Sequence, residues 1–111
     1  MAANRYLVAV PATLSAGMFS DERTFEVQLA NGQTYVGLAP RYFCWDASGK
    51  LVGEKAPLGE VPGLVAAKLV DELDGRQAAV EVPDGTVIAV KEEQVKDRPT
   101  PILPPGHRST A

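Results

Sequence analysis

Cys44, Trp45 and Asp46 set a thiol, a large aromatic ring and a carboxylate side by side, the one place in this chain where a nucleophile, a large aromatic and an acid are adjacent. Thiol chemistry needs a base or an electropositive site to form thiolate at neutral pH. The only histidine, His107, lies far along the chain. In a strand Cys44 and Trp45 also point to opposite faces, so Cys44 reads as a small buried apolar residue. One Cys and one His cannot supply the four ligands of a structural zinc site. The acidic cluster Asp71, Glu72 and Asp74 could attract a hard cation. It reads instead as a solvated hairpin end, because no complete calcium-loop motif is present. Glycine-rich phosphate loops and Gly-x-Ser-x-Gly are absent as well. The expectation is a non-catalytic protein with no cofactor and no metal.

Binding chemistry is better represented. Tyr35, Tyr42, Phe43 and Trp45 fall within eleven residues, and exposed aromatics supply rigid contact area at low entropic cost. Phe19, Phe25 and Phe43 are expected in the core, as is usual for phenylalanine. Tyr35 is expected on a polar face and is the leading binding aromatic, with Tyr42 and Trp45 beside it. Near the C-terminus, Arg98-Pro99-Thr100-Pro101-Ile102-Leu103-Pro104 has the basic residue and Pro-x-x-Pro spacing that SH3 domains take as ligand. Such a segment is a preformed extended helix, which adds Arg98, Pro101 and Pro104 to the candidate contacts. Proline-rich ends also serve as plain spacers, and Ile102 and Leu103 could instead pack on the barrel or on a neighbouring copy.

A repeat indicates what must position these residues. Val27-Gln28-Leu29-Ala30-Asn31-Gly32-Gln33-Thr34-Tyr35-Val36 is echoed by Val80-Glu81-Val82-Pro83-Asp84-Gly85-Thr86-Val87-Ile88-Ala89. Each copy alternates apolar and polar residues around Asn-Gly or Asp-Gly, the signature of a hairpin with a two-residue turn. That turn sets Leu29 opposite Thr34, Val27 opposite Val36 and Phe25 opposite Leu38, with Tyr35 beside Gln28 on the wet face. In the second copy it sets Val82 opposite Val87 and Val80 opposite Ala89.

Residues 63–73 carry a competing signal. Val61, Val65, Leu69 and Leu73 have helical spacing ahead of Gly75, so a short helix is possible. A hairpin at Asp74-Gly75 is preferred, since it pairs Ala67 with Val82, Leu69 with Val80 and Lys68 with Glu81. Further strands are expected at Tyr6 to Pro11, Tyr42 to Trp45 and Lys50 to Gly53, with a surface loop from Gly53 to Gly63.

Length fits one domain, 1–97, followed by a Pro-rich flexible tail, 98–111. All fourteen acidic residues and nine of the eleven basic ones precede Arg98, so the folded part is acidic and nucleic-acid binding is disfavoured. No apolar run approaches the roughly 20 residues of a membrane span. Arg5 and the apolar Tyr6 to Val10 loosely resemble a secretory leader, but Pro11 and the single base favour a first strand. The lone cysteine fits a reducing, cytoplasmic compartment.

The fold class expected is all-β: a small, strongly bent antiparallel barrel or sandwich of about six strands. Its consecutive Val-x-Val-x-Asp-Gly hairpins and the exit Val90-Lys91-Glu92-Glu93-Gln94-Val95 resemble an SH3-like small barrel, the fold shared by SH3, Tudor, KOW and Sm-type domains. The resemblance covers roughly Phe25 to Val95, implies a short turn before a last strand, and transfers no activity. The function expected is a non-catalytic protein-interaction or assembly module acting through a strand edge or the Tyr35 to Trp45 surface, with a protein partner or a second copy. The alternative is a nucleic-acid-associated barrel in which Arg5, Arg23, Arg41, Lys50 and Lys55 gather on one side. An accessory subunit of an enzyme is the third class.

Overall fold

A computed structural model describes residues 6–100 and 102. Eight strands follow in order: β1 Val8–Ala16, β2 Glu22–Gln28, β3 Thr34–Pro40, β4 Cys44–Asp46, β5 Val61–Leu73, β6 Gln77–Glu81, β7 Val87–Lys91 and β8 Lys96–Asp97. Six of them, in the order β3-β2-β1-β5-β6-β7, form a near-closed antiparallel barrel; β4 pairs with β5 and β8 with β1. Among the described residues the only helical pieces are two 3-10 turns, Arg41–Phe43 and Glu92–Gln94. The second leads into β8, as the SH3-like resemblance implied.

Residues 63–73 are strand, not helix, because both backbone edges of β5 are in use. β1 pairs along one edge from Val61 to Ala67, while β4 and then β6 take the other. Gly63 lies where three strands meet. A Cβ there would stand 2.5 Å from the Trp45 carbonyl oxygen and 2.6 Å from Leu14 Cδ1. The alternation of β1 and β5 buries both of their faces. Val10, Leu14, Val65 and Ala67 join Phe25, Val27, Val80, Val82 and Val90 inside the barrel. Ala9 and Ala66 face the other way, into a second cluster with Tyr6, Phe43, Trp45 and Ile102.

Each repeated hairpin has one loop residue more than a two-residue turn. Gly32 N–H donates to Leu29 O and Leu29 N–H to Gln33 O; Gly85 N–H donates to Val82 O and Val82 N–H to Thr86 O. Gly32 and Gly85 both have φ of +89°, whereas Asn31 and Asp84 stay at negative φ. This is a turn followed by a glycine bulge, the usual three-residue hairpin loop. Asn31 and Asp84 serve another purpose: each side-chain oxygen accepts the N–H two residues on, from Gln33 and Thr86 at 2.9 Å. The extra residue shifts both registers by one, so Val27 pairs with Tyr35, Phe25 with Gly37 and Val80 with Ile88. Tyr35 therefore turns inward, and its expected place on the polar face is corrected.

The third hairpin compensates for the same miscount. Its loop also holds three residues, with Gly75 and Arg76 at positive φ, but a bulge at Val70 restores the register beyond it. Leu69 then faces Val80 and Lys68 faces Glu81, as expected from the sequence. The Glu81 carboxylate is engaged elsewhere, accepting the Tyr6 hydroxyl at 2.8 Å.

Pro11 explains why β1 changes partners. Along its outer edge β1 pairs Ala16 through Thr13 with β2, then Ala9 and Val8 with β8. Continuing the β2 ladder would require an N–H from Pro11 to Gln28 O, and proline has none. Gln94 Nε2 donates to Gln28 O instead, at 3.0 Å, while its Oε1 accepts Lys91 N–H. A cleft of about 360 Å³ opens at this parting, between Pro11, Gln28 and Gln94.

Phe19, expected in the core, is 70% exposed at the tip of the β1–β2 hairpin beside Met18. Gly17 permits the close reversal at this tip, since a Cβ there would stand 2.6 Å from Glu22 Cβ.

Gly63→Ala is expected to destabilise the protein by about 3 kcal/mol, since overpacking against backbone cannot relax by rotamer change. Gly53→Ala, with open space at its Cβ, is expected to stay within about 0.5 kcal/mol of the parent. Urea unfolding of the two variants checks the contrast.

Candidate functional site

Of the sequence-predicted site residues, Trp45 and Tyr42 belong to the second cluster, whereas Tyr35 packs against the first. Trp45 is completely buried in the second cluster, where its Nε1–H donates to Thr100 Oγ1 at 2.8 Å. Its expected surface role is corrected: β4 is paired on both edges, by β5 and by the Lys50–Val52 return, and its two faces are covered by the two hydrophobic clusters, Cys44 in one and Trp45 in the other. Tyr42 is half-buried, with its ring 5.0 Å from that of Phe43. Arg98 donates through Nη1 to Tyr6 O at 3.1 Å and through its backbone to Leu7 O. Arg98, the first residue of the expected tail, thus lies beside the two residues that lead into β1, and Ile102 is buried beside Trp45 and Tyr6. Pro101 and Pro104 lie outside the described residues.

Tyr35 sits at the barrel's closing seam. Its ring packs 6.1 Å from that of Phe25, and its hydroxyl is shared between Asp84 Oδ2 and Thr86 Oγ1 of the second hairpin loop. The hydrogen bond to Asp84 raises the Tyr35 pKa above the ordinary phenolic value. On the other side of the seam, Ala30 N–H in the first loop donates to Ala89 O on β7 at 2.9 Å. Each repeated loop thus docks on the other's hairpin. Gly37 allows the approach, because a Cβ there would meet the Asp84 carboxylate at 2.6 Å.

Cys44 is the small buried residue that the sequence predicts. The side chain is completely buried, and burial pushes the thiol up to about 12, against a weaker opposing pull from Arg23. At neutral pH the sulfur is protonated, the wrong form for attack. Asp46 faces a different task, its Oδ1 accepting from Ser48 N–H, Ser48 Oγ–H and Lys50 N–H. Those bonds hold its carboxyl below the usual range. Asp71, Glu72 and Asp74 are exposed at the β5–β6 hairpin end. No group of three His, Cys, Asp or Glu positioned to hold a metal occurs among the described residues.

Two of the bases that a phosphate-binding face would need are spent inside the fold. Arg23 is 1% exposed, and its guanidinium is capped by the carbonyls of Ser20, Glu22 and Gly53. Arg41 lies between Asp21 and Glu54, with nitrogen to oxygen distances of 3.7 and 3.6 Å.

What the geometry leaves open is the outer edge of β3. The Leu29–Gln33 bond fixes the ladder parity, so Tyr35, Gly37 and Ala39 bond to β2 and the backbone groups of Thr34, Val36 and Leu38 point outward. These outward groups have no backbone partner among the described residues. Val36 is 55% and Leu38 37% exposed, and Thr34–Pro40 contains no charged residue. Sequence reasoning missed this surface because the two-residue turn placed Val36 and Leu38 on the inner face. The absence of any charge in the strand was the available signal.

Stability is expected to fall as pH rises from about 9 to about 12. Cys44 and Tyr6, whose folded values are raised from 9.0 and 10.0 to about 12 mainly by burial, keep their protons in this window while the unfolded chain loses them. Chemical denaturation across that window should show the loss, and Cys44→Ala and Tyr6→Phe should each flatten it.

No protein-family model matches this chain, and comparison with curated proteins and with solved structures finds no significant match either.

Proposed function

We propose that this protein is a non-catalytic interaction or assembly module that receives an extended segment of a protein partner on the outer edge of β3. The observation carrying this reading is that edge itself: outward backbone groups without backbone partners among the described residues, two exposed apolar side chains and no charge over seven residues. Edge strands of monomeric proteins are ordinarily blunted by charge, bulges or a covering element. Among the described residues none of these guards β3, and strand addition uses main-chain hydrogen bonds for affinity and alternate side chains for specificity.

The seam supports the same reading. Tyr35, anchored through Asp84 and Thr86, holds β3 in place before any partner arrives, which lowers the ordering cost of binding. The barrel is also compatible with the SH3-like fold, which carries no particular activity by itself.

Val36→Lys combined with Leu38→Lys places two charges on the edge at exposed positions. Affinity capture from native lysate is expected to lose the partner with this variant by at least tenfold, while the circular dichroism spectrum and the unfolding midpoint stay near those of the parent. Equal recovery of the same partners by parent and variant would falsify the edge as the binding surface.

A further inference from the structure

We infer that the β3 edge receives the same edge of a second copy of this chain, in an antiparallel pairing with its twofold axis at Val36. This inference rests on the strand-edge reading and names the partner.

The edge has a defined length and centre. It starts after the loop that ends at Gln33, and it stops at Pro40, whose position falls in the outward set where an N–H would be needed and is missing. The usable groups are those of Thr34, Val36 and Leu38. A twofold axis at Val36 sets Val36 opposite Val36 of the second copy and Thr34 opposite its Leu38. In that register every outward N–H and C=O of the three residues meets a partner. Sliding the copy by two residues toward the loop or toward Pro40 leaves at least one pair unmatched. The pairing is self-complementary, as a twofold interface must be.

Charge does not oppose it. Each chain carries a formal net charge of -3, but β3 itself is neutral. On the outer face the acid nearest the axis is Glu26, which lies opposite Val36 on β2. Across the pairing the two Glu26 residues stand three strand spacings apart, about 14 Å, beyond the Debye length of about 8 Å at physiological salt. The other barrel edge is not equivalent. On β7 the Ala89 carbonyl is already taken by Ala30, and the strand ends on the charged Lys91. Three paired residues on each side bury less than the roughly 1,200 Å² of a standard stable interface. The dimer is therefore reversible and concentration-dependent.

Cysteine cross-linking reads the register directly. Val36→Cys is expected to form a disulfide-linked dimer under mild oxidation, because residues facing each other across the axis lie within disulfide reach. Thr34→Cys alone is not, since its own copies are offset by four residues, about 13 Å along the strand; mixing it with Leu38→Cys restores the cross-link. Cys44 is buried and does not compete. Sedimentation of the unsubstituted chain should show the average mass rising toward twofold with concentration, and Val36→Lys should abolish the rise with its circular dichroism spectrum unchanged. Cross-linking at Thr34→Cys equal to that at Val36→Cys overturns the inference. A chain that stays monomeric while a captured partner protects the Val36 and Leu38 amides from hydrogen exchange also overturns it, but leaves the strand-edge reading standing. A monomeric chain with no protection of those amides by any captured protein removes both.

Discussion

The whole barrel depends on the need of one long strand to satisfy its backbone on both edges. β5 runs thirteen residues, roughly 40 Å if straight, as long as the molecule's longest dimension of 40 Å. A strand of that length can stay paired only by bending and by changing neighbours along the way. It meets β1 on one edge and passes from β4 to β6 on the other between Val65 and Lys68, with the Val70 bulge following inside the β6 ladder. Were this stretch helical, the facing groups of β1, β4 and β6 would lose their partners, at on the order of 1–3 kcal/mol for each one left buried, which outweighs the helical preference of residues such as Ala66, Ala67 and Lys68.

Much of the architecture was legible from turns and alternation. Glycines at 32, 75 and 85 marked the three hairpins, and the inward Val80 and Val82 were demanded by two hairpins independently. The miscount of one residue per loop has a physical source. Asn-Gly and Asp-Gly are read as turns in which both residues take positive φ, yet here Asn31 and Asp84 act through their side chains and only the glycine is left-handed. From composition alone the two kinds of loop look the same. At Asp74-Gly75 a bulge cancelled the error, which is why Lys68 was matched correctly with Glu81.

The candidate site was less legible because it depends on contacts distant in the chain. Trp45 looked like a surface aromatic until Ile102 and Thr100 covered it. Arg23 looked like a free base until three carbonyls closed around it. The absent N–H of Pro11 is answered by a side chain more than eighty residues away, at Gln94. No local pattern announces such substitutions.

The three-residue loops have a consequence for how the fold can change. Side chains in a strand alternate with period two, so the number of residues in the first loop decides whether Tyr35 reaches Asp84 or points into water. No intermediate setting exists. Loss of a single residue there would turn the seam contacts outward together with the Val36 and Leu38 edge pattern, exchanging the closing face for the binding face in one step. Closure and surface presentation are thus two readings of one integer, the loop length, and a lineage could not alter either gradually by insertion or deletion at this turn.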